Sequence, residues 1–106
     1  MVQTQASVIK DIKEFKRRLS KKMKVQQLIL YGSRARGDFL NQSDVDLIII
    51  SNGFRDVPFL ERTYQASKLW RWNLPLEVFC YTPEEFESKK KENTYLQKIL
   101  HEAVFI

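Results

Sequence analysis

A single cysteine, Cys80, stands in 106 residues, so the chain can close no intramolecular disulfide and build no cysteine-based metal site. No apolar run approaches the roughly 20 residues that a bilayer span requires. The first residues, MVQTQASVIK, lack the apolar stretch of a secretory signal. Internal repeats, low-complexity tracts and linkers are also missing. These absences argue against a disulfide scaffold, a membrane protein and a repeat array, and a reducing cytoplasm is the expected setting. What is present suits a folded chain. Apolar residues make up 43% and aromatics 12%, enough to bury a core. At this length residues 1–106 are expected to form one domain.

Charge is unevenly spread. The net value is +5, and between Lys10 and Lys24 eight Lys or Arg face only Asp11 and Glu14. A basic helix of this kind reads either as a phosphate- or RNA-binding face or as the solvated side of an amphipathic helix. The second is the simpler reading. The surplus suits an enzyme that draws in polyanionic nucleotides, and it leaves nucleic acid open as a partner.

Val8, Ile12, Phe15 and Leu19 mark one stripe of a first helix. Gln27 to Tyr31 reads as a short apolar strand that runs into Gly32-Ser33, with a short helix over Ser33 to Arg36 ended by Gly37 at positive φ. Asp38 to Ser43 is a polar loop, Val45 to Ile50 a second strand and Ser51-Asn52-Gly53 a turn. A helix is expected from about Pro58 to Trp70 and a third strand over Leu76 to Tyr81. Thr82, Pro83 and Glu85 then open a helix with cap, first-turn proline and capping box. A last helix covers about Thr94 to Glu102, and the apolar Ala103 to Ile106 forms either a packed strand or an interface. The pattern is α/β, a small sheet covered by helices. The connection Gly32 to Ser43 is near the lower limit for a crossover helix, which leaves an antiparallel pairing of the first two strands open.

The chemistry concentrates in GSRARGDFLNQSDVDLIII, Gly32 to Ile50. A small-residue turn, where backbone can approach phosphates, is followed ten residues later by Asp44 and Asp46. Alternate strand residues share a face, so these carboxylates lie roughly 6.6 Å apart along the strand. Two like charges on one face repel unless a cation sits between them. Such a pair can hold divalent ions that a triphosphate bridges.

Gly32-Ser33, ten intervening residues and Asp44-Val45-Asp46 resemble the signature of the nucleotidyltransferase superfamily, whose catalytic domain resembles the palm of DNA polymerase β. The longer text Gly32 to Asp38 with Ser43 to Leu47 resembles the minimal nucleotidyltransferases. The resemblance runs over nearly the whole chain and implies a small mixed sheet covered by helices. It implies two Mg²⁺ ions (or Mn²⁺) on Asp44 and Asp46, and a third carboxylate on a neighbouring strand, which Glu77 matches. Many relatives carry Asp there, and an exposed strand glutamate is the plain alternative. Gly32 and Ser33 would take the β- and γ-phosphates, and Arg34 and Arg36 flank the turn as further nucleotide contacts or as solvated side chains. Asp38 reads as structural and His101 as a surface or packing residue. Trp70 and Trp72 read as core or partner-facing residues before they read as a base-stacking pair.

The activity implied is transfer of a nucleoside monophosphate, AMP from ATP or another NTP, to an acceptor hydroxyl with release of pyrophosphate. Larger relatives carry an acceptor-holding domain for which this length leaves no room. The acceptor is therefore expected on a partner or on a second copy. Minimal relatives often accompany a HEPN-domain ribonuclease toxin and act on it as antitoxins. The alternative is a binding module that sequesters such a toxin with its catalysis decayed. Antibiotic modification fits poorly without an acceptor domain.

Overall fold

The computed structural model describes residues 4–38 and 43–106. Helix α1 (Gln5–Ser20) begins where the Thr4 hydroxyl accepts the Ser7 N–H, and it turns Val8, Ile12, Phe15 and Leu19 inward, the stripe read from the sequence. Strand β1 (Gln27–Tyr31) leads into the four-residue helix α2 (Ser33–Arg36). Strand β2 (Val45–Ile50) follows, then a 3₁₀ turn at Asn52–Phe54 and helix α3 (Phe59–Ser67). Strand β3 (Leu76–Tyr81), helices α4 (Pro83–Glu92) and α5 (Thr94–His101), and the short strand β4 (Val104–Phe105) complete the order. Most of the expected polar loop, residues 39–42, lies outside the described residues.

The strands form one mixed sheet in the order β3-β2-β1-β4. β1 runs antiparallel to β2 and to β4, whereas β2 and β3 are parallel. Antiparallel pairing of β1 and β2 follows from their short connection. The parallel step from β2 to β3 has residues 51–75 and α3 for its crossover. The apolar tail resolves as β4, with the Ile106 N–H donating to the Leu28 carbonyl at 2.8 Å.

Strand alternation divides the core. Leu28, Leu30, Val45, Leu47, Ile49, Val78 and Cys80 face α1 and the Ala66 side of α3. Ile29, Ile48 and Ile50 face the opposite way, under Phe86 of α4 and Leu96 of α5. Trp70 and Trp72 pack on the α1 side, Trp70 edge-on to Phe15 at 5.3 Å, so they belong to the core away from the carboxylates. α3 is shorter than the sequence suggests. After Ser67 the Leu69 and Trp70 N–H groups bond three residues back, to Ala66 and Ser67, which tightens and ends the helix. Pro58 precedes its first residue, with its carbonyl accepting the Arg62 N–H at 3.1 Å and no side-chain cap.

Two junctions set the helices on the far face. Thr82 and Glu85 form the expected capping box. Glu85 also receives the buried Arg62 guanidinium at 2.6 and 3.2 Å, which ties α3 to the start of α4. Asn93 ends α4 and caps α5, its side-chain oxygen accepting the Leu96 N–H at 3.1 Å. Among the described residues no helix is long and apolar enough to cross a membrane.

Candidate active site

The sheet register brings three side chains into one row. Tyr31 of β1 pairs with Asp46 of β2, and Asp46 pairs with Glu77 of β3. All three belong to the face that carries Ile48, Phe79 and Tyr81, because alternate residues of a strand share a face. Above the row stands the Gly32-Ser33 turn. Gly32 adopts φ 77°, a left-handed conformation, and a Cβ added there would run into the Asp46 carboxylate. Glycine is therefore required twice over, by its dihedral and by its closeness to Asp46. α2 follows at once, and the N–H groups of a helix's first turn have no partner within the helix. Gly37 ends it at φ 86°, as the sequence suggested.

These elements open onto a cavity of about 700 Å³, a volume that suits a nucleotide. Gly32, Ser33, Arg36, Asp46 and Glu77 line it together with Phe79, Tyr81, Lys89, Tyr95 and Lys98. Ile99 of α5 and Glu102, just past its end, continue the wall.

Charge in the row is unbalanced. Burial raises the Asp46 carboxyl, and the hydrogen-bonded Glu77 carboxylate and the charge of Asp44 raise it further, to about 6, with Arg36 pulling weakly the other way. The Tyr31 hydroxyl is pushed well above its ordinary value, first by burial and then by the negative charges of Asp46 and Glu77. Among the described residues no group of three or more His, Cys, Asp or Glu is gathered closely enough to hold a metal ion unaided. Mg²⁺ does not need such a cage, since it retains waters and takes substrate phosphates. Asp46 and Glu77 side by side on the sheet, with Asp44 nearby and a turn open to phosphates above them, fit a divalent ion delivered with a triphosphate.

The nucleotidyltransferase-domain family model matches residues 12–102 of the chain. The protein belongs to the nucleotidyltransferase family. Two relatives from Methanocaldococcus jannaschii, both named "Putative protein adenylyltransferase", are similar in sequence. One is 39% identical over 74 residues, covering 67% of this chain and 72% of that protein. The other is 42% identical over 45 residues, 41% of this chain and 45% of that one. A Sulfolobus solfataricus crystal structure described as a nucleotidyltransferase superposes with TM-score 0.66 over 95% of this chain and 80% of its own. At 24% identity that likeness speaks for the fold alone. The expected family and mixed α/β fold are thus those observed, and the chain is a minimal nucleotidyltransferase.

Within this nucleotidyltransferase, the residues singled out from sequence do not all meet. Gly32, Ser33, Arg36, Asp46 and Glu77 line one cavity. Asp44 sits just before β2, exposed, outside the cavity lining but close enough for its charge to act on Asp46. Arg34 turns away. It is fully buried, and its Nε and Nη2 donate to the Ser43 carbonyl at 3.3 and 3.1 Å. Arg36 stays at the surface, donating to Asp38 at 3.2 Å and lying 3.8 Å from Glu102. Asp38 thus has a structural partner. His101 is exposed on α5 and lies outside the cavity lining.

Sequence reasoning missed Tyr31, Lys89, Tyr95 and Lys98 as cavity residues. Tyr31 was within reach, since it ends the strand that delivers Gly32. The α4 and α5 residues carry no local signal. They reach the site only because the second helical layer folds over β2 and β3.

Proposed function

We propose that this nucleotidyltransferase is an Mg²⁺-dependent protein adenylyltransferase that moves AMP from ATP to a hydroxyl on a partner protein. The observation that carries the reading is the lateral pairing of Asp46 with Glu77 beneath the Gly32-Ser33 turn, with Asp46 raised to about 6 by burial first and by the neighbouring carboxylates second. Supporting the acceptor class are the names borne by the two archaeal relatives.

Asp44 and Asp46, with Glu77 beside them, would hold two Mg²⁺ (or Mn²⁺), whose chemistry is to neutralise triphosphate charge and orient the leaving pyrophosphate. Gly32 lets the backbone come close to the β- and γ-phosphates, and Ser33 offers its hydroxyl and N–H. Arg36 adds a guanidinium at the mouth. Phe79, Tyr81 and Tyr95 give the nucleoside an aromatic surface. Glu77 takes the proton from the acceptor hydroxyl. The acceptor oxygen bonds to the α-phosphorus, the bond to the bridging oxygen breaks, and pyrophosphate leaves. Arg34, buried and directed at Ser43, is left out of these contacts. A HEPN-domain toxin, or a second copy of the chain, is the acceptor protein that the minimal family pattern favours, which would make the enzyme an antitoxin.

The test is incubation of the purified chain with Mg²⁺, α-labelled ATP and the protein encoded beside it, followed by mass spectrometry. Covalent AMP on the partner and stoichiometric pyrophosphate are expected. A tight complex with neither product would instead establish a binding module that sequesters its partner.

A further inference from the structure

Asp44 and Asp46 serve one proposed site but are held by different means. Asp46 lies inside β2, paired with Tyr31 on one side and Glu77 on the other, so the sheet sets its place. Asp44 precedes the strand. Among the described residues it is bracketed by the Val45 N–H, which donates to the Pro75 carbonyl at 2.8 Å after it, and by Arg34, which donates twice to the Ser43 carbonyl before it.

Arg34 is an unusual choice for that grip. Its side chain is completely buried, among the largest side chains so placed, although it sits in a four-residue helix beside an open cavity. Its backbone belongs to the turn that begins with Gly32-Ser33, and its own carbonyl is pinned in turn. The Gln5 side-chain amide donates to the Arg34 and Ala35 carbonyls at 3.2 and 2.9 Å, anchoring the short helix to the start of α1. A chain of contacts thus runs from α1 through α2 and the Arg34 guanidinium to the residue before Asp44. Two nitrogens of a planar fork on one carbonyl fix direction as well as distance, which a lysine ammonium does not.

We propose that Arg34 is a positioning residue: through its Nε and Nη2 contacts to the Ser43 carbonyl, it sets Asp44 relative to the Gly32-Ser33 phosphate turn. The role rests on the nucleotidyl-transfer reading and ties the residue before Asp44 to the helix that starts at Ser33. A partner that orients a metal ligand without touching the metal typically changes affinity 10–100-fold when altered.

The test uses the full chain, Mn²⁺ and a non-hydrolysable ATP analogue, with bound Mn²⁺ read by electron paramagnetic resonance and folding by thermal melting. Arg34→Lys should melt near the wild type yet bind Mn²⁺ with the analogue 10–100-fold more weakly. In an Asp44→Asn background the same substitution should add little, because its effect passes through Asp44. Equal affinity in Arg34→Lys and wild type would overturn the role, and so would a full additional loss in the Asp44→Asn background. Should Arg34→Lys fail to fold, Gln5→Ala carries the question, since it frees the Arg34 carbonyl and leaves the guanidinium intact. A several-fold loss confined to the Asp44-containing chain supports the role, and unchanged affinity refutes it. Absence of Mn²⁺ and analogue binding in the wild type would overturn the transfer reading and this role together, whereas wild-type binding with an unaffected Arg34 variant overturns the role alone.

Discussion

β3 begins and ends beside carboxylates in opposite electrical company. Past its C-terminal end, Glu85 accepts two hydrogen bonds from Arg62, whose remaining donors reach the Val57 and Cys80 carbonyls at 2.8 and 3.2 Å. The Arg62 hydrogen bonds, more than anything else, hold the Glu85 carboxyl below its ordinary value. At the other end Glu77 stands beside Asp46, with Asp44 nearby, and the Asp46 carboxyl is driven upward. The first cluster is complete within the protein. The second, on the proposed reading, is completed by metal and nucleotide. Matched charge marks a joint between α3 and α4, and less matched charge marks the candidate ligand site.

The largest effects should fall on the unmatched end. Asp46→Asn should abolish AMP transfer together with the stabilisation, about 2.7 kcal/mol at 100 times Kd, that Mg-ATP confers. Glu77→Gln should keep that stabilisation and lose transfer by roughly 10²–10⁴-fold. Melting with and without Mg-ATP, alongside the labelled transfer assay, separates the two. Equal transfer by Glu77→Gln and wild type would reduce Glu77 to an exposed strand residue and dissolve the contrast.

Next in size is the matched end. Arg62→Met removes its bonds to Val57, Cys80 and Glu85 and should lower unfolding free energy in urea by about 2–3 kcal/mol, short of a fully buried pair because Glu85 is half-exposed. The Mg-ATP shift per folded molecule should not change. If it does, the two ends of β3 are coupled and cannot be compared as separate regions.

The smallest effect is in pH, and its sign differs between the ends. Asp46 holds its proton more tightly folded than unfolded, so the apo chain loses stability as pH rises from about 4 to about 6. After solvent screening the loss is on the order of 1 kcal/mol. Glu85 holds its proton less tightly when folded, so its contribution is present above about pH 4.5 and fades as pH falls below that. Melts of the ligand-free protein between pH 3 and 8 should therefore show Asp46→Asn more stable than wild type at pH 7, with Glu85→Gln flattening the acid limb. A destabilised apo Asp46→Asn would mean that the carboxylate row is not under strain.

Much of this was legible from local rules. The continuous apolar runs at 27–31 and 45–50 read as strands buried on both faces, the alternation at 76–81 reads as a half-buried one, and the 3.6-period stripe of Val8, Ile12, Phe15 and Leu19 shows which side of α1 turns inward. The capping box at Thr82 and Glu85 needed only four residues of text. The Gly32-Ser33 to Asp44-Asp46 spacing carried the family. Long-range pairings were not legible. Nothing near Arg34 says that its guanidinium turns into the core, because a short basic helix reads alike buried or solvated. Glu85 was read as a capping residue, and its second duty depends on Arg62, which lies 23 residues away. Lys89, Tyr95 and Lys98 join the cavity only once the helix pair is laid over the sheet.

That helix pair turns on one residue. Asn93 closes α4 and opens α5 in an extended conformation, φ −125° and ψ 100°, with no loop to either side. α5 is eight residues long, about 12 Å at 1.5 Å per residue. On the proposed reading α5 flanks the nucleotide as a short beam, set at its near end by Asn93 and tied at its far end through β4 to the sheet, with Tyr95, Lys98 and Glu102 spaced along it.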